Sequence, residues 1–255
     1  MNKYTNARII ELMEDKQIMS VKDLSSALDV TEVTIRRNLN ELQELGYIKR
    51  ERGFAILQDS GKKTDYFIES SEHSIEKKAI AQAALQFISP SLSLCIDSGT
   101  TTQALLELIP EDLSLSIITT SIIGALSLSN KKNAQVLLPQ GFMHHSNRSI
   151  LLTDRTSLDN YRADIAFMSC RSFCPPLGAF ELTPTLASTK EALSNIASKI
   201  ILLADYSKWG INLLCNTIPM SKIDTIITDD KAPTDMIQEC RNAGKQVIVA
   251  QLSHT

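Results

Sequence analysis

The chain has 255 residues, 43% of them hydrophobic, which suffices for one large buried core or two smaller ones. Charged residues make up 22% and the net charge is only −3, which excludes a polyelectrolyte that captures its partners by overall field. There is no basic start followed by a long apolar run and no uncharged span of about 20 residues, so the chain reads as cytoplasmic, without a leader or membrane span.

The first helix is expected over Asn6 to Met13, where Ile9, Ile10, Leu12 and Met13 supply its apolar side. Lys16 and Gln17 lead into a second, Ser20 to Leu28, with Val21, Leu24, Ala27 and Leu28 on one side, and Asp29-Val30-Thr31 leaves room only for a tight turn. The third runs from Thr31 to Gly46. Val33, Ile35, Leu39, Leu42 and Leu45 give it a mixed three- and four-residue stripe, while Thr34, Arg36, Arg37 and Asn38 are expected to face outward. Thr31 suits the N-cap, Glu32 the dipole behind it and Gly46 the left-handed stop. Two short helices joined in this way form a helix-turn-helix whose second member presents hydroxyl, guanidinium and amide groups to a major groove.

Tyr47 to Arg50 and Phe54 to Leu57 then read as a hairpin around Glu51-Arg52-Gly53, the wing of a winged helix. Basic charge is local, at Arg36 and Arg37 and at Lys49, Arg50 and Arg52. That suffices for phosphate contacts and leaves affinity sensitive to salt. Residues 1–57 are therefore expected to bind double-stranded DNA through Thr31, Thr34, Arg36, Arg37, Asn38, Lys49, Arg50 and Arg52. The weak net field favours a homodimer or homotetramer that adds such surfaces together.

Residues 58–73 begin polar, Gln58 to Thr64, and read as a linker; whether Tyr66-Phe67-Ile68 packs is left open. From Ser74 a helix runs to Ile88, stopped by Ser89-Pro90. Apolar runs then alternate with helical segments. The runs are Leu92 to Ile96, Leu115 to Ile118, Val136 to Leu138, Ile165 to Met168, Ile200 to Ala204, Thr225 to Thr228 and Val247 to Ala250. Between them, Thr100 to Ile109, Ser121 to Leu128, Leu186 to Ser198 and Thr234 to Ala243 read as helices. Strands apolar on both faces imply a mostly parallel, doubly wound α/β domain over residues 74–255.

Ligands gather at the carboxyl ends of strands in such a fold. Asp97-Ser98-Gly99-Thr100-Thr101-Thr102 stands there, between a strand and a helix start, where hydroxyls and free amides receive an anion. The alternative is an ordinary strand-to-helix turn with Thr caps. Cys95, Cys170, Cys174, Cys215 and Cys240 are an odd set without a C-x-x-C pair and indicate neither disulfides nor zinc. A site of Cys170 and Cys174 with His144 and His145 is set against buried thiols, which are favoured, and no metal or cofactor is expected.

Thr34 to Leu39, Glu76 to Ala81, Asp97 to Thr102, Arg162-Ala163-Asp164, Lys190 and Leu202 to Gly210 together resemble the DeoR family of bacterial sugar-responsive transcription regulators, in order from about Ala7 to Ala250. The resemblance implies a winged helix-turn-helix and a sensor domain similar in fold to ribose-5-phosphate isomerase. It further implies a non-enzymatic repressor of a sugar or nucleoside catabolic operon, released by a phosphorylated sugar. Asp97 to Thr102 and Lys190 would then hold the phosphate, with Ser121, Gly141, Asp205 and Lys208 as further pocket positions.

The chain departs from the family pattern in places. Asn38 stands for Asp, Arg52-Gly53-Phe54 for His-Gly-Gly, and Gly178-Ala179-Phe180-Glu181 for Gly-Leu-Thr-Thr. Pro139-Gln140-Gly141 keeps one glycine of a pair, and Leu186 replaces an expected acid. His145-Ser146-Asn147 is similar to the deoxyribonucleoside branch of the family. An activator, or an isomerase-like enzyme using Asp97, Lys190, Asp205 and Lys208 for proton transfer, are the alternatives.

Overall fold

The computed structural model describes residues 3–16, 18–44, 48–51, 53–57 and 70–252. The chain divides into two compact units, Met1–Thr64 and Asp65–Thr255, and the division falls inside the expected linker. Residues 58–69 of that linker, with Tyr66 to Ile68, lie outside the described residues, as do Gln17, Leu45, Gly46, Tyr47 and Arg52.

The first unit is built on helices α1 (Lys3–Lys16), α2 (Val21–Leu28) and α3 (Glu32–Glu44). Its core is Ile9, Ile10, Met13, Val21, Leu24, Ile35, Leu39 and Leu42, closed by Ile48 and Ala55 of the wing. Ser20 caps α2 by accepting from the Asp23 amide at 3.0 Å. Asp29 ends it in the left-handed conformation at φ 52°, a role that Asp fills at less strain than most residues. The turn is closed by Val30 N donating to Ser25 O and by the Ser25 hydroxyl donating to Val30 O.

Strands β2 (Ile48–Glu51) and β3 (Phe54–Leu57) form the wing, with Gly53 at φ +89° in its two-residue turn. A third strand, β1 (Ile18–Ser20), pairs antiparallel with β3, so the sheet order is β1-β3-β2. Three residues are too short for an alternating pattern, and Ile18 and Met19, between the two expected helices, carry no strand signal.

The second unit opens with α4 (Ser74–Ala84), β4 (Ser93–Ile96), α5 (Thr100–Leu108), β5 (Leu115–Thr119), α6 (Ile122–Leu128) and β6 (Ala134–Leu137). A hairpin of β7 (Gly141–His144) and β8 (Ser149–Leu152) follows, then β9 (Ala163–Met168), β10 (Ser172–Cys174) and β11 (Gly178–Glu181). The chain then forms α7 (Pro184–Asn195), β12 (Ala197–Leu203), β13 (Cys215–Pro219), β14 (Thr225–Asp229), α8 (Thr234–Asn242) and β15 (Gln246–Ala250).

Seven strands make one parallel sheet in the order β15-β14-β12-β9-β4-β5-β6. Its strands bury side chains on both faces. Cys95, Ala166, Met168, Ile200 and Leu202 join one core with α7 and α8, and Leu94, Ile96, Ile165, Phe167, Ile201 and Leu203 join the other with α4 and α5. This is the doubly wound α/β architecture expected from the apolar runs. A separate antiparallel sheet, β10-β11-β13, and the β7-β8 hairpin were not anticipated.

Candidate functional site

In α3 the buried stripe is Ile35, Asn38, Leu39 and Leu42. Asn38 is 1% exposed, so it does not face outward as expected, and its Nδ2 has no hydrogen-bond partner. The spacing i, i+3, i+4, i+7 puts it on the core side, and the periodicity signal is weak there only because the residue is polar. Val33 is the converse correction. Expected in the stripe, it is 77% exposed.

The outward stripe is thus Val33, Arg36, Arg37 and Asn40. Arg36 Nη2 donates to Glu32 Oε2 at 2.9 Å, whereas Arg37 forms no ion pair among the described residues. Thr31 and Thr34 are joined through their hydroxyls at 3.0 Å at the helix start. The Arg50 guanidinium donates to Asn40 Oδ1 and the Arg50 amide to Gln43 Oε1, which ties the wing to the outward side of α3. Lys49 pairs with Glu51 at 2.5 Å on the exposed wing, and the expectation for Arg52 lies outside the described residues. Asn40 and Gln43 were missed, because polar residues late in a helix read as ordinary solvated surface.

In the second unit the chain leaves β4 toward β5 and leaves β9 toward β12, so the carboxyl ends of these neighbours lie at the topological switch point. Asp97, fully buried after β4, accepts from the Gly99 amide (3.2 Å) and the Thr102 hydroxyl (2.7 Å) through Oδ1. Its Oδ2 accepts from the Ser169 amide (2.9 Å) and hydroxyl (2.8 Å), and from Lys190 Nζ at 3.0 Å. Lys190, projecting from α7, also donates to Ser169 O at 2.9 Å and pairs with Glu181 Oε1 at 2.6 Å.

Burial alone would raise the Asp97 carboxyl, but the Lys190 charge and the Thr102, Lys190 and Ser169 hydrogen bonds outweigh it and hold the pKa below its ordinary value. Lys190 mirrors this: burial opposes its charge, yet Asp97 and Glu181 raise its pKa. Two carboxylates and one ammonium leave this knot with one net negative charge. Lys190 is therefore paired on both sides, and Asp97 is a loop anchor with its oxygens engaged.

Above the knot, α5 begins at Gly99 with no side-chain cap, so its first amides have no intrahelical acceptor. Ser98 and Thr100 are half-buried beside that turn, whereas Thr101 and Thr102 are buried and Thr102 is engaged with Asp97. Gly99 has φ −76°, so backbone freedom does not require glycine there. Close approach does: a Cβ would lie 1.9 Å from Ser169 Oγ.

Asp205 follows β12. Its Oδ1 accepts from the Ser207 amide at 3.0 Å and from the Ser207 hydroxyl, while Oδ2 is buried without a partner. Burial pushes the neighbouring Cys170 thiol up to about 12, and the charges of Lys190, Glu181, Lys208 and Asp205 all act on it. Tyr206 N donates to Asp229 Oδ2 at 2.8 Å, and Lys231 pairs with buried Glu76 at 2.5 Å while lying 5.4 Å from the Tyr206 ring centre. Trp209 packs edge-on against Phe173 and donates to Thr228 Oγ1 at 3.1 Å.

Ser121 caps α6, accepting from Gly124 N at 2.9 Å, and its hydroxyl meets Gln103 of α5 at 3.3 Å, so it adjoins the first turn of that helix. Gly141 is exposed at the start of β7. It is required by the hairpin, because a Cβ would lie 2.1 Å from Leu151 O. All five cysteines are free thiols, and no group of three or more metal-ligating side chains occurs among the described residues.

Residues 6–61 match the DeoR-like helix-turn-helix domain, and residues 72–230 match the DeoR C terminal sensor domain. The chain belongs to the DeoR family of transcriptional regulators. It is 28% identical to the regulator GolR of Listeria innocua over 96% of this chain and 97% of that one. It is equally 28% identical to the glycerol-3-phosphate regulon repressor of Escherichia coli K12, over 90% and 92%. Among solved structures, ribose 5-phosphate isomerase A from Methanocaldococcus jannaschii superposes with a TM-score of 0.40 at 16% identity, covering 55% of this chain and 56% of that one. The architecture described above rests on the strand order itself.

One departure from the DeoR pattern has a structural role: Glu181, at the end of β11, takes the second face of Lys190. Glu181 and Ser169 are site residues that the sequence reading missed. The first was flagged only as an anomaly, and the second carries no signal at all as a lone serine after an apolar run.

Proposed function

We propose that this DeoR-family regulator represses a sugar or nucleoside catabolic operon as a homodimer or homotetramer, and that a small phosphorylated sugar releases it from its operator. Two observations carry the effector reading: the carboxyl edge of the sheet holds an uncapped helix start after β4 and an unpartnered, buried carboxylate oxygen after β12. The amides of the first turn of α5, with Ser98 and Thr100, suit a phosphate, and Asp205 Oδ2 suits a sugar hydroxyl that donates to it. Lys190 and Asp97 shape this site by holding the loop, and Lys208 brings positive charge near it. The name of the glycerol-3-phosphate regulon repressor agrees with a phosphorylated effector.

No catalytic role is assigned. Asp97 and Glu181 are both held in ion pairs with Lys190, which leaves none of the three as a free base. Linkage requires that an effector which weakens operator binding bind less well to the operator-bound form.

Thermal melting of the full chain with pentose and hexose phosphates and their unphosphorylated parents tests the reading. A phosphorylated sugar at 100 times its dissociation constant stabilises by about 2.7 kcal/mol. Equal stabilisation by the parent sugars contradicts the phosphate assignment, and turnover of any of the sugars contradicts the non-enzymatic one.

A further inference from the structure

Val33 has no role in the fold. It is 77% exposed in the first turn of α3, outside the stripe that packs the three-helix core, and a β-branched residue there is a poorer helix former than alanine. A lone exposed valine is ordinary on a protein surface. This one, however, lies in register with Arg36 and Arg37, three and four residues on, and with Asn40, on the stripe that the wing residue Arg50 braces.

We propose that Val33 reads a thymine in the operator through its 5-methyl group, which makes it a specificity-determining residue of the DNA-reading helix. The inference rests on the assignment of α3 as that helix. In the major groove, thymine differs from the other bases in presenting a methyl group, and an apolar side chain recognises it by excluding water from both. Arg37, one turn further on and without an ion-pair partner among the described residues, is the neighbouring group able to take a guanine edge. Four residues of helix rise about 6 Å and base pairs stack about 3.4 Å apart, so the two bases lie within about two base pairs of each other. Glu32 and Arg36 pair with each other beside Val33, which leaves Arg37 as the unpaired charge on this stripe among the described residues.

The test uses the full-length protein and DNA selected by it from a random duplex library. In the selected site each thymine is replaced in turn by deoxyuridine, which removes only the methyl group. Burial of one methyl group corresponds to about fourfold in affinity, so one thymine position in a half-site should show about that loss. Val33→Ala should bind the thymine site about fourfold more weakly, show no further loss on the deoxyuridine site, and keep the wild-type melting temperature. The sensitive thymine should lie within two base pairs of a guanine whose 7-deaza replacement weakens wild type but not Arg37→Ala. Uniform binding to every deoxyuridine duplex, or a Val33→Ala variant that keeps the wild-type sensitivity, overturns the proposal while leaving α3 as the DNA reader. Failure of the library to yield any preferred site counts against the DNA-reading assignment itself, and the proposal falls with it.

Discussion

The Lys190 ammonium lies 3.0 Å from Asp97 Oδ2, both groups are buried, and the pair is completed by Glu181 on the other side of the lysine. A lysine held between two carboxylates is a structural cation. Its removal leaves two buried negative charges uncompensated, which costs about 3 to 5 kcal/mol. Lys190→Met should therefore lower the melting temperature of the sensor unit by many degrees, and pairing it with Glu181→Gln should recover part of the loss. A single variant that melts like wild type would show that the lysine is free.

The same pair sets a pH window. The Asp97 pKa is lowered in the fold, so its contribution is fully present above the ordinary carboxylate value of 3.8 and is lost as pH falls through the folded value. The Lys190 pKa is raised, so its contribution is fully present below the ordinary value of 10.5 and is lost as pH rises through the folded one. Melting temperature against pH should be flat in between and fall on both sides. The double variant Asp97→Asn with Lys190→Met should show a shallower fall at each end. Identical slopes for variant and wild type would remove the knot from the pH response.

Gly99→Ala should destabilise the sensor unit by about 1 to 3 kcal/mol, as overpacking does, because its Cβ would meet the Ser169 side chain. Ser169→Gly should relieve the clash in the double variant, although it removes the hydroxyl hydrogen bond to Asp97. Additive losses in a double-mutant cycle would contradict the contact.

Asn38 and Arg37 are adjacent in sequence and opposite in consequence. Asn38→Leu removes a buried, unpartnered Nδ2, a defect of about 1 to 3 kcal/mol, and should leave operator affinity unchanged with the melting temperature held or raised. Arg37→Ala should weaken operator binding and leave the melting temperature alone. Calorimetry and filter binding on the two variants check this, and an affinity loss in Asn38→Leu would return that residue to the DNA face.

Long elements were legible because their signals repeat. The inner parallel strands are apolar on both faces, and α3 carries Ile35, Leu39 and Leu42 at helical spacing. Short elements were not: β1 has three residues, and β10, β11 and β13 pair in a small antiparallel sheet whose runs contain Pro, Cys and Glu. In the site, the loop Asp97 to Thr102 stood out by composition, but the task of each residue did not. That Gly99 yields space to Ser169, and that Thr102 and Lys190 both turn inward to Asp97, follows from partners 70 and more positions away or from side-chain direction. Val33 and Asn38 exchanged places for a related reason, since each sits on the face that helical spacing gives it and its own polarity or apolarity argues against.

The most direct measurement of the central claim is operator affinity titrated with phosphorylated sugars and their unphosphorylated parents, on wild type and on Asp205→Asn, which keeps the Oδ1 cap of Ser207 and replaces the orphaned oxygen by a donor. A phosphorylated sugar should weaken operator binding of the wild type by about 5- to 150-fold, the usual range of coupling between two sites. Its parent should have no effect, and Asp205→Asn should bind operator normally but resist release. If every phosphorylated sugar leaves operator affinity unchanged, or if the parent sugars release it equally well, the proposed switch is wrong.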